Sequence, residues 1–181
     1  METNQCITSR RSVRRYEDRP IPRETLERLV ELASWAPSWK NTQVSRWTII
    51  TDKSLIERIA AEGVMGFEHN MGILRGCAAL AVQSLVRSRS GYERDGSFST
   101  TKGSHWESFD AGIAAQTFCL AATDLGLGSC ILGVFEEAVV AKLIGLPEDQ
   151  ALASLIPLGF PAESPAAPRR KAVAELARFL D

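Results

Sequence analysis

The chain has little histidine. His69 and His105 are its only two, and they stand far apart in sequence without ligand-like neighbours. A metal site therefore has little support. Cysteine is also sparse and unpatterned. Cys6, Cys77, Cys119 and Cys130 show no CxxC spacing. Three of the four lie in apolar runs, where a free thiol serves as a small core residue. That pattern argues against a disulfide framework and predicts a reducing, cytoplasmic setting. No apolar run reaches membrane-spanning length, and the N-terminus carries no apolar signal core, so neither a membrane nor export is expected. Neither charge sign is in excess: 21 Lys and Arg face 22 Asp and Glu, for a net charge of -1. A general nucleic-acid binder needs a broad positive surface, so that class is disfavoured. GxGxxG, Walker and GxSxG sequences are all missing.

What remains is an ordinary globular composition. Hydrophobic residues make up 45% of 181 positions. That suits one domain with a substantial core, residues 1–181, without repeats or a linker. Its most unusual stretch is Arg10-Arg11-Ser12-Val13-Arg14. Guanidinium forks and a hydroxyl match a phosphate. Thr8 and Ser9 can cap a helix there, which would put Arg10 and Arg14 on one face. Taken alone, the run reads more readily as a solvated basic segment, because short Arg clusters are weak motifs.

Periodicity orders the rest. Residues 22 to about 34 predict an amphipathic helix with Leu26, Leu29, Val30 and Ala33 inward. Pro37 ends it. A polar connection, 36–43, leads to a strand at 47–50. A helix follows, with Ser54 and Glu57 at capping-box spacing and Gly63 at its end. Cys77–Val82 reads as a strand buried on both faces. Residues 87–105 lose periodicity, which leaves a substrate-side lid or a plain flexible loop. Residues 107–125 are apolar over most of a helical circumference, as in a fold centre or a subunit interface. A short strand at 129–132, a helix at 135–144 and a strand at 151–158 come next. A Pro-rich tail then leads to Arg169-Arg170-Lys171 and a short helix at 172–180.

In this order the motifs resemble the nitroreductase family of flavin enzymes. Arg10 through Tyr16 is similar to its opening signature. Ala36-Pro37-Ser38-Trp39-Lys40-Asn41-Thr42-Gln43 with Trp47 resembles its second motif. Asp110-Ala111-Gly112 to Gln116, then Leu120-Ala121-Ala122 and Leu125 to Cys130, resembles its central helix and following turn. Pro157 to Pro161 and the terminal basic cluster resemble its last strand and tail. The likeness spans roughly residues 9 to 171.

The resemblance implies an α+β fold, a mostly antiparallel central sheet flanked by helices, in an intertwined homodimer. It implies FMN at the subunit interface and NADH or NADPH as electron donor. The tail 161–181 would embrace the partner subunit. Arg10, Ser12 and Arg14 match phosphate and ribityl contacts, with Arg11 adjacent. Pro37, Ser38, Trp39 and Asn41 match the segment that reaches the flavin of the other subunit. Leu132 and Gly133 match the backbone lying against the flavin ring. Arg169 or Arg170, with Arg170 preferred, matches the C-terminal phosphate ligand. The flavin carries the chemistry, so no side chain is expected as acid or base. The implied activity is ping-pong reduction of a small oxidised acceptor, such as a nitroaromatic or quinone. Alternatives are another flavin redox reaction, dehydrogenation or dehalogenation, and a non-catalytic FMN carrier.

Overall fold

The computed structural model describes residues 1–180. Its sheet holds β1 (Ser45–Ile50), β2 (Ala79–Val86), β3 (Gly128–Ser129) and β4 (Gln150–Gly159). Their order is β1-β2-β4-β3, with every neighbouring pair antiparallel. The helices are α1 (Thr3–Ser9), α2 (Arg23–Ala33), α3 (Lys53–Glu62), α4 (Glu68–Gly76), α5 (His105–Asp124), α6 (Glu137–Ile144) and α7 (Val173–Leu176). The α+β architecture is as expected.

Strand alternation divides the core in two. On one sheet face Ala79, Ala81, Ile156 and Leu158 meet α2 and α5. The alanines let α5 approach closely, and Phe118 fills the gap without solvent exposure. Its ring stacks on Trp47 at 4.3 Å between centroids. On the other face Leu80, Val82 and Leu155 pack against α3, α4 and α6 through Ile56, Ile59, Leu74 and Val140. A polar pair crosses the interior. Gln83 Nε2 donates to Ala111 O at 2.8 Å, and Ser154 Oγ donates to Gln83 Oε1 at 2.9 Å. With those bonds made, the buried amide carries little desolvation cost.

Several local expectations are corrected. The β2 strand runs later than 77–82, because Cys77 caps α4. The N-cap of α3 is Asp52, whose carboxylate accepts from Ser54 N at 2.8 Å. The C-terminal helix covers only Val173–Leu176 rather than 172–180. Helix α4 was not foreseen. Gly126 (φ +77°) turns the chain after α5, as its position there predicts.

The α5 helix is buried on most sides but not all. Phe109, Gly112 and Gln116 form an exposed stripe. Its N-terminal half touches the 36–44 connection, and its C-terminal half touches α1, where Cys6 Sγ donates to Leu120 O at 3.3 Å.

Candidate functional site

The Arg10–Arg14 run is extended, not helical. Thr8 and Ser9 end α1 instead of capping a new helix. Residue 129 causes this, not residues 8 or 9. Ser12 bridges Ser129 in parallel, and Val13 N donates to Ser129 O at 3.0 Å. Val13 is buried, so alternation sends Arg10, Ser12 and Arg14 to the other side. The Tyr16 hydroxyl, 2.7 Å from Val13 O and 3.1 Å from Pro157 O, fastens the segment's far end. Burial pushes that phenol up from its ordinary value.

Among the described residues no carboxylate lies within 4.0 Å of the Arg10, Arg11 or Arg14 guanidinium. Arg11 instead donates to Thr8 O at 2.8 Å and Arg10 O at 2.9 Å. Glu163 turns its carboxylate to backbone and to Arg15: it accepts from Arg14 N at 2.7 Å and from Arg15 Nε at 3.0 Å. Those bonds hold its carboxyl below the usual value. The Ser129 hydroxyl is buried and has no hydrogen-bond partner. Burial pushes the neighbouring Cys130 thiol up, and Arg14 opposes the rise. An excess of cations and an orphan hydroxyl thus converge on one segment.

The Leu132–Gly133 stretch continues from β3. Leu132 exchanges two backbone bonds with Leu155, 2.8 and 3.1 Å long. Gly133 is exposed. The buried Asn70 donates its side-chain amide to Val134 O at 3.2 Å and so fixes this turn. That gives the buried Asn70 a role in holding the chain just beyond Gly133.

The second candidate segment, 37–43, is a strained turn. Lys40, Asn41 and Gln43 hold φ of 46°, 57° and 49°. Left-handed backbone costs a non-glycine residue roughly 1–3 kcal/mol, so surrounding contacts must impose it. Ser38 Oγ accepts from Gln43 N at 2.8 Å. Buried Asp110 accepts from Trp39 N at 2.9 Å and from Ser90 Oγ at 2.5 Å. Thr42 Oγ1 and Ser90 Oγ share a 2.8 Å bond. Lys40 pairs with Glu93, whose carboxyl is held low by Ser99 and Lys40. A cavity of about 360 Å³ lies behind the turn, between Pro37, Ser38, Arg46, Asp110 and Ala114. The Trp39 Nε1 is buried without a partner.

Residues 87–105 fold into a small hairpin. Tyr92 bridges Phe98, and Glu93 N donates to Ser97 O at 2.8 Å. Gly91 (φ +84°) is required there, because a Cβ would lie 2.5 Å from Gly103 O.

The structure brings Arg10, Ser12 and Arg14 beside Ser129 and places Pro37, Ser38, Trp39 and Asn41 together on one turn. It does not join these two groups. Arg10 follows α1, which packs near Leu120, whereas Trp39 hangs from Asp110. Ten residues of helix separate those anchors, about 15 Å at 1.5 Å per residue. Arg169 and Arg170 are exposed on the tail and make no side-chain hydrogen bond or ion pair among the described residues. The sequence reading missed Ser129 as a partner of Ser12, and Asp110 as the anchor of Trp39. Only a long-range contact reveals either. No helix among the described residues is long and apolar enough to cross a membrane.

A sequence model of the nitroreductase family matches residues 7–160. The "Putative NADH dehydrogenase/NAD(P)H nitroreductase" of Methanothermobacter thermautotrophicus is 31% identical over 169 residues, spanning 91% of this chain and 80% of its own. The FMN reductase [NAD(P)H] of Bacillus subtilis is 29% identical, with 90% of this chain and 67% of its own covered. A "putative nitroreductase in complex with fmn" from Desulfovibrio desulfuricans superposes with a TM-score of 0.76 at 28% identity, covering 100% of this chain and 99% of that one.

Proposed function

This chain belongs to the nitroreductase family, and on that premise we propose that it is an FMN-dependent NAD(P)H oxidoreductase acting on small oxidised acceptors such as nitroaromatics or quinones. The observation that carries this reading is the cation run of Arg10, Arg11 and Arg14, strapped beside the orphaned Ser129 hydroxyl. Those residues fit the FMN phosphate. It needs charged and neutral donors, and among the described residues no carboxylate competes for these guanidinium groups. When bound, FMN supplies hydride transfer between a reduced nicotinamide and the acceptor. Arg10, Ser12 and Arg14 hold the phosphate end. Leu132 and Gly133 present backbone to the ring, and Arg169 or Arg170 adds a phosphate ligand from the tail.

Pro37, Ser38, Trp39 and Asn41 serve the flavin of a second subunit. The separation of their anchor, Asp110, from the α1 contact at Leu120 supports this, as does the exposed stripe of α5. The working form is then a homodimer. Val173, Leu176, Phe179 and Leu180 lie exposed on the tail and supply apolar surface for embracing the partner. The buried free cysteines support a reducing, cytoplasmic setting.

The test is a visible spectrum of purified protein. It should be yellow, release FMN rather than FAD, and bleach on anaerobic addition of NADH or NADPH. A colourless protein that takes up no FMN overturns the reading. Yellow protein that neither nucleotide bleaches is a carrier. Hydrodynamic mass should be near twice 19.8 kDa; a monomer with full flavin occupancy would contradict the shared site.

A further inference from the structure

An aromatic shelf with a cation on it stands beside the strained turn. The Trp39 and Trp106 rings meet at 4.7 Å, and Trp106 meets Phe109 edge-on at 5.3 Å. Lys102 Nζ lies 4.4 Å from the Trp106 ring centre and 4.6 Å from that of Phe109. Rings hold a cation electrostatically without neutralising it. Among the described residues no carboxylate comes within 4.0 Å of Lys102.

The surroundings keep that charge available. Glu93 is taken by Lys40, Asp95 accepts from Ser97, and Glu107 accepts from Ser88 N. Arg89 and Arg94 add further cations in the same segment, neither with an ion-pair partner among the described residues. Several contacts hold the shelf in place. Trp106 Nε1 donates to Thr100 Oγ1 at 2.9 Å, Trp39 N is fixed by Asp110, and Gly91 lets the hairpin close against Trp106. Phe109 is 48% exposed in the single chain, at the end of the α5 stripe that is turned to the second subunit and its flavin. The buried, unpartnered Trp39 Nε1 sits in the same group.

We propose that this shelf is the acceptor subsite, and that Lys102 selects planar aromatic acceptors carrying a negative charge, such as nitrobenzoates. This rests on the reading of the chain as a flavin oxidoreductase, with Trp39 facing the partner's flavin. A flat acceptor lies on the indole surface, and its anionic group meets the ammonium. The reaction balances as in any two-electron nitro reduction. The nitro group gains a hydride equivalent and a proton and releases water. It becomes a nitroso group, while NAD(P)H is oxidised to NAD(P)+.

The test compares para-nitrobenzoate with its methyl ester, which share a ring and differ in charge. Lys102→Met keeps the apolar stem. It should lower kcat/KM for the acid about fivefold, the scale of an exposed charge pair. The ester should change less than about twofold. Lys102→Arg should restore the acid, and added salt should erode its advantage in the parent. Quenching of indole fluorescence by para-nitrobenzoate should weaken in Lys102→Met even without turnover. Equal losses for acid and ester, or no loss for either, overturn the subsite. A loss confined to NADPH places Lys102 at the donor and overturns it too. Failure of the underlying function looks different: the parent itself would lack flavin absorbance.

Discussion

Arg14→Ala should bind FMN roughly ten- to a hundred-fold more weakly and riboflavin almost as tightly as the parent. The expectation follows from charge and geometry together. A hydrogen bond to a charged group contributes about 1.5–3 kcal/mol, and each 1.4 kcal/mol is a factor of ten. The Arg14 guanidinium has no carboxylate to satisfy it; its one internal acceptor is Ser12 O at a long 3.3 Å. Nothing in the fold therefore depends on it, and its loss should not unfold the chain. Riboflavin has no phosphate, so the phosphate contribution disappears from that comparison. Arg15 is a poor control, because its Nε is bound to Glu163, the carboxylate that also accepts from Arg14 N. Arg58, paired with Glu62 on the surface of α3, is a better one. Flavin fluorescence titration of Arg14→Ala and Arg58→Ala with both ligands decides the matter. Equal weakening of the two ligands would indicate unfolding, and unchanged FMN binding would make the run a solvated basic segment.

Gly128→Ala should strip the protein of flavin at an even smaller change in sequence. A Cβ at 128 would lie 2.7 Å from Val13 Cγ1 and 2.8 Å from Val13 Cβ. A valine cannot swing aside, since its branched side chain is stiff and its own backbone is bonded to Ser129. The strain therefore passes to the 10–16 segment, which must lift off β3. Overpacking of this kind costs about 1–3 kcal/mol in stability. The cofactor penalty should be larger, because Arg10, Ser12 and Arg14 leave together. Gly72→Ala is the matched control: nothing lies within 4 Å of a Cβ there. It replaces a helical glycine, so it should stabilise by up to about 1 kcal/mol. Flavin-to-protein ratios and melting curves of the two variants separate these outcomes. A Gly128→Ala protein that purifies fully yellow would mean that the Ser12–Ser129 bridge does not position the site.

How much of this was legible in the sequence depended on the range of the contact. The α2 stripe of Leu26, Leu29 and Ala33 and the two-sided burial of β2 are local periodicities; the first appeared where expected, and the second appeared a few residues later, over Ala79–Val86. The helical reading of 10–14 failed for the opposite reason. Thr8 and Ser9 look like caps, but Ser129, more than a hundred residues away, claims the Val13 N–H. The cap of α3 failed by competition at short range, where Asp52 outranked Ser54. Helix α4 escaped notice because Glu68–Asn70 and Gly72 interrupt its apolar pattern. At the site, the Arg run and the 37–41 turn were visible as residue types. Their anchors, Ser129 and Asp110, were not, because a serine and an aspartate gain meaning only from what folding sets beside them.

The separation along α5 of the Leu120 contact of α1, which leads into the Arg run, from the Asp110 anchor of Trp39 has a thermodynamic consequence. If one flavin touches the first group in one chain and the second in its partner, cofactor binding and chain association become a single linked equilibrium. Every increment of FMN affinity then appears as an increment of subunit affinity, and diluting the protein becomes equivalent to withdrawing the flavin. A cell short of flavin would hold loosened subunits rather than empty, intact enzyme.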